Sequence, residues 1–418
     1  MKEETRLFVK RKFKEYYTRA RIELPKDFWM REWGFVLFDQ YFPAKLVMRR
    51  HKSFTTKDDL MHYLGENAPA HAYYSSALYQ YPAADMAKKG WIGSDLIFDL
   101  DADHIISEAE FKRSSYEQVL ERVKEETVKL IDFLINDFGF GEDDIELVFS
   151  GSRGYHIHIK TDEVRGLGSR ERREIVDYVG RGPDVDVFLV YKAIDYGGEE
   201  LRRCQYCNKI TKMKICPICH GNTTSLSGQG DLRLLTHGAW GKRLLKGLID
   251  FLHEIAEMEE EKAITALKKI GGVGEQRARD LIRVVKDEMS MKRIAEGKLG
   301  QISGFPQSAW QEIIKSVRVR IDTDAPVTAD IKRLIRLPTS LHGKSSLEVK
   351  PLRIETFNEF DPVVDAVVFG DSPVEIRVVR DSSITLNGER YKVEEGEIAS
   401  VPEHAALYFI CRGVAEIK

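Results

Sequence analysis

The chain of 418 residues lacks several features that would assign it to a special class of protein. No run of about 18 apolar residues occurs, so we expect no membrane span and no membrane partner. The charged N-terminus lacks the apolar segment of a signal peptide. The formal net charge of -3 argues against a polybasic coat for nucleic acid. We therefore expect an ordinary globular protein of two or three domains in the cytoplasm, associated with the nucleoid.

Cysteine is also scarce, and its five residues are not spread out as a disulfide framework. Four of them form two Cys-x-x-Cys pairs, Cys204/Cys207 and Cys216/Cys219, separated by eight residues. This spacing is typical of two knuckles that hold one zinc ion in an all-cysteine site. Because four thiolates leave no open coordination position, we expect a structural zinc. The three lysines between the pairs are either a solvated loop or a contact with nucleic acid.

An acidic strand is the central feature that the sequence does contain. In the stretch LIFDLDAD, Leu96, Phe98 and Leu100 alternate with polar positions, which predicts a strand with one face in the core. Asp99 and Asp101 then share the opposite face, with α-carbons about 7 Å apart. Two such carboxylates repel each other unless a cation neutralises them, and Mg²⁺ or Mn²⁺ would do so. The alternative is a solvated strand end with two surface aspartates.

A second polar group follows the strand IELVF. The residues SGSRG form a tight connection to the strand YHIHI, and Ser150, Arg153 and exposed backbone N–H groups there suit a phosphate. His156 and His158 share one face of the second strand and are either ligand contacts or structural histidines. The loop SGSRG is not a P-loop. The sequence HGKS at 342–345 has the ending of that motif but is not one either, since position 338 holds proline where the motif needs glycine.

The stretch from residue 320 to 344 contains a second pair of aspartates. Asp322 and Asp324 share strand parity, and the residues ADIKRLIR that follow predict a short helix that ends before the next proline. Arg336 and His342 flank that proline. A positive side chain, a histidine and a third carboxylate thus lie close together in the sequence.

Elsewhere the sequence indicates how the chain is organised. Helical spacing of apolar residues predicts a helix over 115–138 and a run of helices over 240–311. The glycine turn at 270–274 resembles a helix-hairpin-helix element, which either contacts DNA or serves only packing. The basic cluster at 49–52 is a phosphate site or a solvated strand end. Residues 346–418 look like closing strands.

Together these groups have the parts needed for nucleotidyl transfer. Two metal ions about 4 Å apart would activate a 3'-hydroxyl and stabilise leaving pyrophosphate, while positive side chains hold the triphosphate. A metal-dependent nuclease could use the acidic pairs but would not need the phosphate-binding groups. A zinc-containing DNA-binding subunit with a structural acidic pair is the alternative from another class.

With these motifs the sequence resembles the small, catalytic subunit of the archaeal and eukaryotic type of DNA primase. The matching motifs occur in that family's order and cover most of residues 1–345. They are REWGF at 31–35, FDLDADH at 98–104, SGSRGYHIH at 150–158, the four-cysteine knuckle at 204–219, and DAPVTADIKRLIRLPTSLHG at 324–343.

The resemblance implies roles for particular residues. Metal binding is implied for Asp99, Asp101 and Asp324, and contact with the incoming nucleotide for Ser150, Arg153, His156, Arg336, His342 and, less securely, Arg50 and Glu32. The spacing to the downstream motif favours Asp324 over Asp322 as the third aspartate. The family often has lysine where Arg336 stands, so a guanidinium fork replaces a point-like ammonium.

The resemblance also implies a fold, an activity and partners. The fold would be a mixed α/β catalytic core of sheets flanked by helices, made of residues 1–239 and 312–418 with the zinc knuckle within it. Residues 240–311 would be an inserted helical subdomain. The activity would be synthesis of short primers on single-stranded DNA from nucleoside triphosphates, with a large subunit that carries an iron-sulphur cluster as partner in a heterodimer. A polymerase that extends existing ends is the alternative enzyme, and the choice between ribo- and deoxynucleotides stays open.

Overall fold

The structure is a computed structural model that describes residues 1–111, 113–192, 201–225, 231–303, 305–317, 319–321 and 323–418. These residues form two compact units, one of Met1–Gly180 with Ile321–Lys418 and one of Arg181–Arg320. Both contain helices and strands, so the predicted mixed α/β class is confirmed. No helix in the described part of the chain is long and apolar enough to cross a membrane.

The helices are α1 (Glu3–Arg19), α2 (Lys57–Asn67), α3 (Ala102–Ile105), α4 (Glu108–Phe111), α5 (Tyr116–Asn136), α6 (Asp162–Arg165), α7 (Ser169–Gly180), α8 (Gly238–Glu257), α9 (Glu260–Leu267), α10 (Glu275–Val285), α11 (Glu288–Ala295), α12 (Gln307–Ser316), α13 (Ala325–Ala329), α14 (Pro362–Asp365) and α15 (Glu403–Cys411). The strands are β1 (Trp33–Val36), β2 (Met48–Lys52), β3 (His71–Ser75), β4 (Ala77–Tyr79), β5 (Trp91–Ser94), β6 (Leu96–Asp101), β7 (Ile145–Phe149), β8 (Gly154–Ile159), β9 (Leu189–Lys192), β10 (Arg202–Cys204), β11 (Ile210–Thr211), β12 (Thr223–Ser225), β13 (Asp231–Leu234), β14 (Leu334–Arg336), β15 (Pro351–Leu352), β16 (Pro373–Val378), β17 (Ser382–Leu386), β18 (Glu389–Val393), β19 (Ile398–Pro402) and β20 (Ala415–Ile417).

Two four-stranded sheets position the polar residues of the first unit. One has the strand order β14-β3-β1-β2 and the other the order β15-β7-β8-β6. In the second sheet, β6 and β8 pair antiparallel, so that Asp99 lies opposite His156 and Asp101 opposite Gly154. The two sheets contribute side chains to one cavity, described below.

The acidic strand has the predicted two faces. Leu96, Phe98 and Leu100 are completely buried, whereas Asp99 and Asp101 are partly exposed. Helix α5 packs against β6 and β8 with one apolar face, because its buried residues recur at helical spacing. Its start is fixed by a capping box in which the side chains of Ser115 and Gln118 bond each other's backbone N–H. The helix predicted over 115–138 is confirmed.

Two segments differ from their predicted secondary structure. The helix predicted over 329–336 is wrong: α13 ends at Ala329, and β14 pairs with β3, with Arg336 opposite Tyr73. The apolar run ALYFI, predicted as a strand, belongs to α15, which is buried on all sides from His404 to Cys411. In both cases long-range packing overrides the local pattern. The periodicity of so short a run is not enough to distinguish a strand from a helix.

The second unit combines a small cysteine-rich sheet with a helical core. Strands β10, β11 and β12 form the sheet, and β9 pairs with β13. Helices α8 to α12 pack around Trp310, whose indole meets the ring of Phe305 with centroids 4.9 Å apart. The unit contains the predicted helical range 240–311 and the knuckle 204–219, and the proposed boundaries of an inserted subdomain stay a prediction. The glycine turn at 270–274 joins α9 to α10, and a contact with DNA there stays a prediction.

Candidate active site

A polar cavity of about 280 Å³ in the first unit collects most of the residues that the sequence motifs predicted. Strands β3 and β14 line one side of it, and β6, β8 and the loop before β8 line the other. The residues that line it are Leu46, His71, Tyr73, Asp99, Asp101, Ser150, Ser152, Arg153, His156, Arg333, Leu334, Ile335, Arg336, His342 and Lys344.

Asp99 and Asp101 lie on the wall of the cavity contributed by β6. Burial raises the pKa of Asp99 to about 6; the nearby guanidinium of Arg336 opposes this effect and the carboxylate of Asp324 adds to it. Burial also raises the pKa of Asp101, whose Oδ1 accepts a hydrogen bond of 3.1 Å from the backbone N–H of Asp103. The charged form of each carboxylate is therefore disfavoured in the absence of a cation.

Asp324 is adjacent to this pair but faces a different neighbour. Its backbone N–H donates to the carbonyl oxygen of Asp99 at 3.1 Å, which fixes the start of α13 beside β6. Its carboxylate lies 3.4 Å from Nε2 of His104, and it is not among the described residues that line the cavity. The oxygens of the three aspartates do not all approach within 4.8 Å of one another in the described part of the chain. Asp322 lies outside the described residues.

The loop before β8 contacts the cavity through Ser150 and Arg153. Arg153 Nη2 lies 2.6 Å from Asp103 Oδ2 and 3.7 Å from Asp101 Oδ1, so its guanidinium is held beside the acidic strand. The backbone N–H of Ser150 donates to the carbonyl oxygen of Gly154. This N–H is therefore already hydrogen-bonded within the hairpin. Gly151 has φ +79°, and a Cβ there would lie 2.7 Å from Cβ of His342. Only glycine allows this approach without strain.

The two histidines of β8 have different surroundings. His156 lines the cavity, with Nε2 3.7 Å from Asp99 Oδ1, and burial lowers its pKa to about 3, so it is neutral. His158 is fully buried, and its Nδ1 lies 3.2 Å from the hydroxyl of Tyr74. His156 is consequently available to a ligand, whereas His158 packs inside the protein.

Arg336 lies on the opposite wall, where residues that we did not predict support it. Its Nη1 contacts Nδ1 of His71 at 2.9 Å and the hydroxyl of Tyr73 at 2.8 Å. Because His71 Nδ1 also accepts from the backbone N–H of Gly343, the ring carries its proton on Nε2. That Nε2 is buried without a hydrogen-bond partner among the described residues. It is an N–H donor that a bound ligand could use.

His342 completes this wall. Burial and the charge of Arg336 hold the pKa of His342 well below its usual range, so the ring is neutral. Its ring lies edge-on to that of His71 with centroids 4.8 Å apart, and its Nδ1 contacts the hydroxyl of Ser345 at 3.1 Å. Lys344, two residues further, adds a positive charge to the cavity.

Glu32 and Arg50 are not among the described residues that line the cavity; they bind each other. Arg50 Nε and Nη2 donate to the two carboxylate oxygens of Glu32 at 3.0 and 3.1 Å. The side chain of Glu32 is completely buried, and Lys89 Nζ lies 3.6 Å from it. Burial opposes its ionisation, but hydrogen bonds from Arg50 and the backbone of His51 hold the pKa of Glu32 below its usual value. This pair links the residue that precedes β1 to β2.

The four cysteines of the knuckle come together as their spacing predicted. Their sulfurs lie within 4.8 Å of one another, and those of Cys204 and Cys219 are 3.3 Å apart. Four sulfurs bound to one zinc ion would be about 3.8 Å apart, so the cluster is able to bind a metal such as zinc. Backbone N–H groups, first that of Cys207, lower the pKa of the Cys204 thiol and favour its thiolate. Among the described residues, this is the one group of three or more His, Cys, Asp or Glu side chains whose potential ligand atoms all lie within 4.8 Å of one another.

Sequence reasoning missed the contribution of β3. His71 and Tyr73 alternate along this strand and therefore share a face, but no motif includes them. Lys344 could have been found, because it follows His342 in a motif that we had identified. Ser152 and Arg333 lie within the motifs at 150–158 and 324–343, although no role was predicted for either of them.

A mixed α/β core that places two carboxylates opposite arginine and histidine side chains has the features of an enzyme that transfers phosphoryl groups. The particular family follows from comparison with known proteins. The chain belongs to the DNA primase small subunit family of nucleotidyltransferases, whose family model matches residues 98–354.

Full-length relatives support this assignment. The chain is 41% identical to the DNA primase small subunit PriS of Methanococcoides burtonii, over 99% of this chain and 98% of the relative. It is 42% identical to the protein of that name from Methanosarcina barkeri, over 100% and 97% of the two chains. The corresponding protein of Methanothrix thermoacetophila is 39% identical over the whole of both chains.

Proposed function

We propose that this chain makes short primers on single-stranded DNA by template-directed nucleotidyl transfer from nucleoside triphosphates. The observation that carries the proposal is the cavity itself, where a partly buried acidic pair faces Arg336, Lys344 and neutral histidines. Such a site can neutralise a triphosphate and a divalent cation at the same time.

Asp99, Asp101 and Asp324 would hold Mg²⁺ or Mn²⁺. The donor set fits hard divalent cations, which prefer carboxylate oxygens. Burial raises the pKa of both Asp99 and Asp101, so a bound cation would relieve an unfavourable charge. When bound, the ions would activate the attacking 3'-hydroxyl and stabilise the leaving pyrophosphate.

The basic and neutral polar groups would hold the nucleotide. Arg336 and His342 are proposed to contact its phosphates from one wall, and Ser150, Arg153 and His156 to hold it from the other. Arg336 is already oriented by His71 and Tyr73, so its guanidinium needs little reorganisation when a phosphate binds. A nucleotide contact of Glu32 and Arg50 stays a weaker prediction, because these two side chains bind each other.

The four-cysteine cluster would hold a structural zinc ion, since four thiolates leave no open position for a substrate. We also propose a large subunit that carries an iron-sulphur cluster as the partner. The relatives are named small subunits, which supports a companion subunit in a heterodimer.

Primer synthesis on an unprimed single-stranded template tests the proposal. The full-length chain and Asp101→Asn would be compared with labelled nucleotides and Mg²⁺ or Mn²⁺, with and without the large subunit. We expect oligomers from the wild type and none from the variant. Extension of preformed ends alone would favour an end-extending polymerase instead. No product under any of these conditions would refute the catalytic role of the acidic pair.

A further inference from the structure

The cysteine knuckle, residues 201–225, exposes more large apolar side chains than its size explains. Five of the 21 exposed large hydrophobic residues in the described part of the chain belong to this segment. They are Tyr206, Ile210, Met213, Ile215 and Ile218, with exposed fractions from 47% to 76%. The segment folds back on itself so that its four cysteine sulfurs lie within 4.8 Å of one another, and the five side chains therefore belong to one small module.

These side chains are not needed for the fold of the knuckle itself. The interior of the segment is formed by the cysteine cluster, in which Cys204 and Cys216 are fully buried. A cluster of this kind replaces an apolar core in small modules. Exposed apolar side chains gathered in one small segment favour a binding site over chance exposure. We call these five side chains the knuckle surface.

The charge of the segment indicates the kind of ligand. Residues 201–225 contain five Lys and Arg and no Asp or Glu, although the whole chain has a formal charge of -3. If the four thiolates hold one divalent ion, that group contributes -2 and the segment keeps a charge of +3. Lys209 and Lys214 are exposed beside the knuckle surface. A partner with negative charge is therefore favoured.

Tyr206 is held in place although most of its surface is free. A Cβ added at Gly221 would lie 2.3 Å from Cδ2 of Tyr206, so the ring packs directly on the glycine backbone. The side chain is nevertheless 76% exposed. An aromatic ring that is fixed on one side and open on the other is suited to stack a base.

We propose that the knuckle surface, with Lys209 and Lys214, binds single-stranded nucleic acid outside the acidic cavity. Unpaired bases offer apolar faces to Tyr206 and its neighbours, while the phosphates meet the lysines. A duplex covers these faces, and a protein partner would not need an acid-free segment. The strand would be the template or its product, and to that extent the proposal rests on the proposed function.

Strand binding can be measured without catalysis, by fluorescence anisotropy of a labelled oligothymidylate with the full-length chain and no nucleotide. We expect Tyr206→Ala to weaken binding about tenfold, and Tyr206→Phe to retain it because the ring remains. The double variant Lys209→Gln/Lys214→Gln should reduce the slope of log Kd against log salt by about 1.4. Tyr81→Ala, which removes a 58% exposed tyrosine from the first unit, is the matched control and should bind as the wild type does.

Zinc content, measured for every variant, separates loss of a contact from loss of the knuckle fold. Unchanged affinity in Tyr206→Ala together with an unchanged salt slope in the lysine variant would overturn the proposal. So would normal strand binding combined with loss of large-subunit binding, which would show a protein interface. If the wild type makes no primers but Tyr206→Ala still loses strand affinity, the proposed function fails while the strand-binding surface stands.

Discussion

Replacing Asp99 with asparagine should abolish primer synthesis and should make the metal-free protein more stable at neutral pH. The side chain of Asp99 is only 21% exposed, and burial raises its pKa to about 6 from an ordinary value of 3.8. The native state therefore binds this proton more tightly than the unfolded chain does. The stability contributed by this group is complete below about pH 4 and is lost as the pH rises to about 6.

The size of the effect follows from the shift in pKa. A difference of about 2 units corresponds to about 3 kcal/mol of unfolding free energy, which the ionised carboxylate costs the native state above pH 7. Asparagine has a similar shape and no charge, so Asp99→Asn should recover up to about 3 kcal/mol at pH 7.5 and about half of that at pH 5. For a unit of this size, each kcal/mol raises the melting temperature by about 2 °C.

Thermal melting of chelator-treated protein at both pH values measures this effect. Asp103→Asn is the matched control, because that carboxylate lies in the same stretch but its side chain is 61% exposed. We expect Asp99→Asn to melt several degrees above the wild type at pH 7.5, and Asp103→Asn to show no such gain. A variant that melts at or below the wild type, or whose gain is the same at pH 5, would refute the reasoning. Primer synthesis by Asp99→Asn would refute its role in metal binding.

Three further predictions concern the walls of the cavity and the knuckle. Arg336→Lys should raise KM for nucleotide about tenfold, because a lysine ammonium lacks the planar guanidinium that can contact Tyr73 and a phosphate together. An unchanged KM in steady-state assays would contradict a phosphate contact. Gly151→Ala should lower the unfolding free energy by about 2 kcal/mol in urea titrations, because φ is +79° and the new Cβ would meet His342; wild-type stability would show that the loop relaxes freely. Cys216→Ser should lower the zinc content measured by mass spectrometry below one ion per chain, and full occupancy would exclude the four-sulfur site.

The structure also explains why Glu32 and its partner Arg50 are poor candidates for catalysis. Glu32 accepts two hydrogen bonds from Arg50 and one from the backbone of His51, so its carboxylate is satisfied within the protein. Removing Arg50 would be costly, because the completely buried carboxylate of Glu32 would lose its bidentate partner, whereas Arg50 itself is 37% exposed. The position of this pair between β1 and β2 suits a role in shaping the sheet that carries His71 and Tyr73.

The sequence by itself determined the features that depend on local spacing. A strand has a period of two, so the alternation around Asp99 and Asp101 was enough to place Phe98 in the core and both carboxylates on the other face. The two Cys-x-x-Cys pairs were likewise enough to predict a cluster, because each pair folds into a knuckle over a few residues.

The tertiary structure decided which faces meet. Arg336 was expected on a helix, yet pairing of β14 with β3 places it against Tyr73, which lies 263 residues away in the sequence. His156 and His158 share one face by their spacing, but only the packing around them shows that one lines the cavity and the other meets Tyr74. Local periodicity encodes the face of an element, whereas the partner of that face depends on contacts between distant segments, which no short pattern contains.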